Sequence, residues 1–137
     1  MTTPFRVNRR VEFHDTDMAG IVHFSNFFRY MEFAEVEFLR AKGLSVAWLE
    51  TNGERIGFPR VSAACDYRRP VRFEDVVEIA VKIARVGRKS VTYEFDFYCR
   101  GEEVARGKVT AAHCLKKPDG TLEAIDIPAE MRAKLES

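Results

Sequence analysis

Between residues 61 and 115 one pattern repeats four times: an apolar residue at every second position, then a short polar break. "VSAACDY" sets Val61, Ala63, Cys65 and Tyr67 on one side, and "VVEIAVKIARV" does the same with Val77, Ile79, Val81 and Ile83. "SVTYEFDFYC" aligns Val91, Tyr93, Phe95, Phe97 and Cys99, and "KVTAAHCLKK" aligns Val109, Ala111, His113 and Leu115. Side chains alternate faces along a strand, so each stretch predicts a strand with one apolar face. The breaks fall at Glu74-Asp75, Gly87, Gly101-Glu102 and Pro118-Asp119-Gly120. They are too short for the crossover helix that parallel neighbours need, so these strands pair antiparallel.

The N-terminal third reads differently. "FRVNRRVEF" carries Phe5, Val7, Val11 and Phe13 at odd positions, a strand pattern interrupted at Arg9. After Met18-Ala19-Gly20 the period changes, and Phe27, Tyr30, Met31, Ala34, Phe38 and Ala41 recur at three- and four-residue steps. That is one stripe of a helix of about eighteen residues. Ser25 or Asn26 can cap its start, and Gly43 suits a left-handed stop. Its other side holds Arg29, Glu32, Glu37 and Arg40 but also Phe33 and Val36, with Phe28 and Leu39 in a further patch. A helix apolar on most sides is covered by its own sheet and by a partner chain. A polar connector, "TNGERIGFPR", follows, and "IPAEMRAKLES" closes the chain as a short helix with Pro128 near its first turn. The order is α+β, a helix against an antiparallel sheet, in a single domain over residues 1–137.

Composition removes several function classes. Lys and Arg exceed Asp and Glu by one charge, which argues against nucleic-acid binding driven by bulk charge. Cys65, Cys99 and Cys114 are widely spaced, without C-x-x-C, which fits a reducing compartment rather than a disulfide framework or a zinc site. "MTTPFRVNRR" lacks the apolar core of a signal peptide, and no apolar run reaches membrane-spanning length. The expectation is a cytoplasmic protein without membrane contact.

The chemistry concentrates in "VEFHDTDMAGIVHFSNF", where Glu12, Asp15 and Asp17 stand close to His14 and His23. An aspartyl-phosphate enzyme would need a parallel sheet and later motifs that are missing. His14, Asp15, Asp17 and His23 match no recurring metal-ligand spacing, so no metal is expected. Ser25, Ser45, Ser62 and Ser90 lack a nucleophile elbow, and the cysteines lie inside strand patterns. What remains is an acid just before a helix start. The first amides of a helix lack internal partners and sit at the positive end of its dipole. Amides around His23 to Asn26 can hold a developing oxyanion, while Asp17 acts across the carbonyl as base or nucleophile. A second cluster, Arg85, Arg88 and Lys89 around Gly87, is a solvated hairpin tip or a phosphate contact.

Taken whole, residues 11–45, "VEFHDTDMAGIVHFSNFFRYMEFAEVEFLRAKGLS", resemble the hotdog-fold acyl-CoA thioesterases of the 4-hydroxybenzoyl-CoA thioesterase-like family. The resemblance continues more loosely through "FPRVSAACDYRRPVRFEDVVEI" and "RVGRKSVTYEF". It implies a hotdog fold, an antiparallel sheet wrapped around one long central helix, pairing into dimers with sites at the subunit interface and further into homotetramers as dimers of dimers. It also implies hydrolysis of an acyl-CoA to a free acid and coenzyme A, with no cofactor. In that family the second Asp of the motif, here Asp17, is the catalytic carboxylate, and the helix-start amide, here Phe24 with neighbours His23, Ser25 and Asn26, holds the thioester oxygen. Arg88 and Lys89, with Arg85, match a place where the family meets coenzyme A phosphates. His23-Phe24 departs from the commoner aromatic pairs at those positions, which leaves the acyl group open, and Glu32 is a candidate to face it. Two alternatives stand beside hydrolysis: a hotdog hydratase or dehydratase, which would need His14 or His23, and a non-catalytic acyl-CoA-binding protein.

Overall fold

A computed structural model describes residues 4–47, 49–51 and 54–137. Five strands form the main sheet in the order β1-β5-β6-β7-β4: β1 (Phe5–Arg10), β4 (Arg60–Tyr67), β5 (Val76–Val86), β6 (Ser90–Cys99) and β7 (Glu102–Ala112). All neighbours are antiparallel: the short connections make hairpins of β5–β6 and β6–β7, whereas β4 does not pair with β5 across the Glu74-Asp75 break as expected but with β7, and β1 pairs with β5. A smaller antiparallel sheet, β2-β3-β8-β9, joins β2 (Leu49–Thr51), β3 (Glu54–Gly57), β8 (Cys114–Lys116) and β9 (Leu122–Ala124). Helix α1 spans Asn26–Ala41 and α2 spans Ala129–Glu136. Among the described residues no helix is long and apolar enough to cross a membrane.

The sheet face of β5 and β6 is the one the alternation marks: Val77, Ile79, Val81, Val91, Tyr93, Phe95 and Phe97 are buried. Against it α1 lays Phe27, Tyr30, Met31, Ala34 and Phe38, also buried, with Phe27 edge-on to Phe97 at 5.4 Å and Phe38 edge-on to Tyr93 at 6.0 Å. Each fully buried valine, isoleucine, phenylalanine or methionine among these contributes about 1.5–3 kcal/mol by leaving water. Close approach is possible because β7 carries Gly107 beneath Met31, where a methyl group would lie 2.2 Å from the Met31 sulfur. The helix ends as its sequence predicts. Gly43 is left-handed (φ 74°), and the Leu44 and Gly43 N–H groups close a Schellman pair onto Leu39 and Arg40.

Several expectations are corrected. The helix has sixteen residues, not eighteen, and neither Ser25 nor Asn26 caps it by side chain; Ser25 meets His23 and Asn26 reaches the Asp15 carbonyl. Strand β1 stops at Arg10, and Phe13 falls in a 3₁₀ turn (Phe13–Asp15) with 75% of its surface exposed. Arg9 stays half-buried in β1 because its guanidinium lies over the Phe33 ring, 5.0 Å from the centroid. The connector contains β3 and the last residue of β2; β3 pairs with β2 on one side and with β8, the continuation of the last predicted strand, on the other, and Asn52 and Gly53 lie outside the described residues. That last strand divides at His113, passing from the main sheet to the small one. Ala63, Cys65 and Tyr67 keep regular register against β7, but the register is irregular at Val61, and β4 is an edge strand on which Val61 is 64% exposed.

Candidate active site

The loop between β1 and α1 is held at both ends. Val22 N–H donates to the Val71 carbonyl at 2.7 Å, and the His23 N–H donates to Asp15 at 2.9 Å. Asp15 is buried, and its Oδ2 accepts the Tyr30 hydroxyl and the Glu12 N–H, each at 2.9 Å. Burial, then the Asp15 contact, pushes the Tyr30 hydroxyl well above its ordinary range. Asp15 therefore anchors the loop from within, while Asp17 stands on the outside.

Asp17 sits where the chain turns back on itself through left-handed Gly20 (φ 79°). The Asp17 N–H donates to Ile21, and the Asp17 carbonyl accepts the Gly20 N–H, both at 2.9 Å. One carboxylate oxygen, Oδ1, accepts the Ala19 N–H at 2.9 Å and faces the Ile21 N–H at 3.5 Å. The other oxygen has no hydrogen-bond partner among the described residues. An Asx turn thus fixes the carboxylate while leaving one oxygen available. Asp17 borders a cleft of about 560 Å³, walled by Ile21, Phe24, Phe27, Tyr67 and Pro70. Asp17 also borders a second, more open recess of about 840 Å³ lined by Phe13, Met18, His23 and Phe73.

The helix start completes the arrangement. The amides of His23, Asn26, Phe27 and Phe28 all donate to carbonyls, and that of Ser25 turns to the His23 ring at 3.3 Å. The Phe24 N–H alone in this run has no partner among the described residues. Its peptide is aligned, because the His23 carbonyl accepts the Asn26 N–H at 2.8 Å and so points the Phe24 N–H the opposite way, out of the helix. The Tyr67 hydroxyl donates to the Phe24 carbonyl at 2.9 Å, and His23 stacks on the Phe24 ring at 4.6 Å. An oriented, unused donor at a helix start is what a developing oxyanion needs.

The chain is similar over most of its length to known proteins. The model of the thioesterase-like superfamily matches residues 11–135. The chain belongs to the thioesterase-like superfamily. A 1,4-dihydroxy-2-naphthoyl-CoA hydrolase of Prochlorococcus marinus is 30% identical over 105 residues, covering 72% of this chain and 69% of that one. A protein of Aquifex aeolicus that carries the name of an esterase is 36% identical over 93% of this chain and 94% of its own. Among solved structures, a gentisyl-coenzyme A thioesterase superposes with a TM-score of 0.83 at 30% identity, covering 96% of this chain and 99% of that one. As a member of this superfamily, the chain is an enzyme, a thioester hydrolase.

Within the superfamily's frame, Asp17, His23, Phe24, Ser25 and Asn26 are brought together at one end of α1. Arg85, Arg88 and Lys89 are not. They sit at the far end of β5, whose eleven residues span about 33 Å, whereas the loop bearing Asp17 is tied to its near end by Val11 and Asp75. Arg88 is already paired, its Nε 3.1 Å from Asp126. Glu32 faces Arg60 at 3.6 Å and is exposed. For metal binding the sequence weighed His14, Asp15, Asp17 and His23. The atoms that do converge, within 4.8 Å, belong to Glu12, His14 and Asp15, and both carboxylates are already engaged in capping the 3₁₀ turn.

The sequence reasoning missed Glu35. It is 1% exposed and takes two hydrogen bonds from Arg60, at 2.6 and 2.9 Å, while its second oxygen and the Tyr93 hydroxyl are buried without partners among the described residues. Burial pushes the Glu35 carboxyl up from its usual range, against the pull of Arg60. Its position four residues after Met31 and three before Phe38 already placed it on the buried stripe.

Proposed function

We propose that the enzyme hydrolyses an acyl-CoA thioester to the free acid and coenzyme A, with Asp17 and the Phe24 N–H as its working groups. The substrate carbonyl enters the cleft beside Phe24, and its oxygen takes the unused N–H as negative charge develops. The free oxygen of Asp17 then either takes a proton from the water that attacks the carbonyl carbon, or attacks that carbon itself to form an aspartyl anhydride that water hydrolyses to the free acid. Coenzyme A leaves as thiolate and takes a proton from solvent. No cofactor is needed beyond the coenzyme A carried by the substrate, and residues 1–137 act as one domain. What supports this reading is the one amide of the helix start without a partner among the described residues, that of Phe24, a residue that lines the same cleft as Asp17.

The working unit is a dimer. Strand β4 is an open edge with an exposed apolar row, a surface that pairs with a second copy. Antiparallel pairing of two β4 strands lays the Arg60 end of one beside the Tyr67 end of the other. That brings the partner's Arg88 and the partner's Lys89 to the same end of the joined sheet as Asp17, which one protomer alone does not achieve. Two such dimers form the tetramer through the outer side of α1, where Phe33 and Val36 are half-buried. The free state of Cys65, Cys99 and Cys114 suits the reducing cytoplasm.

A panel of aromatic and aliphatic acyl-CoA esters, read by thiol release, tests the reaction. An amide-to-ester replacement at Phe24 removes the N–H without touching any side chain, weakening the His23 carbonyl as an acceptor as well, and should lower kcat by about 10²–10³-fold. Unchanged kcat after that replacement, or enoyl-CoA hydration in place of thiol release, contradicts the proposal.

A further inference from the structure

The hairpin tip bearing Arg88 and Lys89 is held from outside. Arg132 of α2 donates through Nη1 to the Val86 carbonyl at 2.9 Å and through Nη2 to the Gly87 carbonyl at 2.7 Å. The Ile127 N–H donates to the Arg88 carbonyl at 2.9 Å, and the His113 N–H donates to the Lys89 carbonyl at 2.8 Å. Four successive carbonyls are thus turned toward the C-terminal segment and the core. A carbonyl left free at the tip would repel an anion; with all four engaged, the tip offers only its cations outward. Two acids interrupt this: the charge of Glu123 acts on Lys89, and Asp126 on Arg88. Asp126, next to Ile127, holds the Arg88 Nε at 3.1 Å, with the two side chains 65% and 77% exposed.

We propose that the segment from Asp126 to Arg132 sets the affinity of this tip for the phosphates of coenzyme A. Arg132 is a positioning residue that fixes the backbone of the tip, and Asp126 competes with the incoming phosphate for Arg88. The two residues act in opposite directions: removing the Asp126 charge frees Arg88 and tightens binding, and removing the Arg132 fork releases the carbonyls and weakens it. The inference rests on the reading of the tip as the phosphate contact in acyl-CoA hydrolysis.

Titration calorimetry with coenzyme A and with pantetheine, which lacks the nucleotide and its phosphates, tests it without knowledge of the acyl group. Asp126→Asn should tighten coenzyme A by about two- to fivefold, the range of an exposed ion pair, and leave pantetheine unchanged. Arg132→Gln should weaken coenzyme A by roughly fivefold or more at unchanged pantetheine affinity, with Arg132→Lys between the two. Raised salt should shrink the Asp126→Asn gain. Coenzyme A affinity that is unchanged or weaker in the exposed-site variant Asp126→Asn overturns the inference, as does an Arg132→Gln loss shared equally by pantetheine. If Arg88→Ala leaves coenzyme A binding intact, the tip is not the phosphate contact and the inference falls with it. Thiol release by the wild type, with none of these variants shifting coenzyme A affinity, leaves the hydrolase reading standing and removes this one alone.

Discussion

Gly107→Ala puts the packing of helix on sheet to the test. The added carbon would lie 2.2 Å from the Met31 sulfur, 3.2 Å from its methyl and 3.3 Å from the Ala64 carbonyl oxygen. Met31 is fully buried, so its flexible sulfur end can give way only by displacing packed neighbours. The Ala64 carbonyl belongs to β4, and Cys65 is held directly opposite Gly107 by the strand register. Either Met31 leaves its rotamer or α1 lifts from the sheet, and overpacking of this kind costs about 1–3 kcal/mol. For a chain of this size that lowers Tm by roughly 4–12 °C. Calorimetry on Gly107→Ala, Met31→Ala and the double variant gives the coupling. Met31→Ala alone should cost about 2–5 kcal/mol through the cavity it leaves. The added methyl in the double variant should recover part of that, so the two effects should fail to add by at least ~1 kcal/mol. A Gly107→Ala protein with wild-type Tm, or strict additivity, would refute the close approach.

Arg60→Ala strips the partner from a carboxylate that is 1% exposed and should cost about 3–5 kcal/mol in chemical denaturation, whereas a loss under 1 kcal/mol would mean water reaches Glu35. Because burial raises the Glu35 pKa above its unfolded value of 4.5, folding favours its protonated form. Its contribution to stability is therefore complete below pH 4.5 and declines as pH rises through the folded-state value, so Glu35→Gln should flatten that limb of the stability–pH curve. Tyr30→Phe removes the hydroxyl that holds Asp15 and should destabilise by about 1–3 kcal/mol, with the Asp15 amide exchanging faster in hydrogen-exchange measurements. Phe24→Ala keeps the backbone N–H and should retain kcat within about tenfold, in contrast to the backbone ester at the same position.

Period-2 and helical patterns located β5, β6 and the buried stripe of α1 because those faces are buried within one chain, and burial selects residue type position by position. β4 shows the limit of that logic. Its apolar alternation reads like that of β6, yet apart from half-buried Cys65 its residues are exposed, because β4 lies at the edge of the sheet and alternation does not say whether a strand is central or peripheral. The place of Asp17 before a helix start could be read from residue order. That in this run only the Phe24 N–H lacks a partner among the described residues could not, because it depends on the Asp15 carbonyl meeting the His23 N–H and the His23 ring turning to the Ser25 N–H. The Glu35–Arg60 pair was hidden for the same reason: its halves meet only after β4 docks beside the helix. Arg85, Arg88 and Lys89 were legible as a cationic tip, but the sheet that separates them from Asp17 was not.

The most direct test of the account is steady-state thiol release by Asp17→Asn, on whichever acyl-CoA the wild type turns over fastest, with Tm and coenzyme A affinity measured alongside. The side chain is half-buried on the rim of its cleft and its oriented oxygen can still accept the Ala19 N–H, so fold and binding should persist. Turnover should fall by about 10²–10⁴-fold for a general base, and further for a nucleophile. Turnover within a few-fold of wild type, at equal Tm and equal affinity, would contradict it.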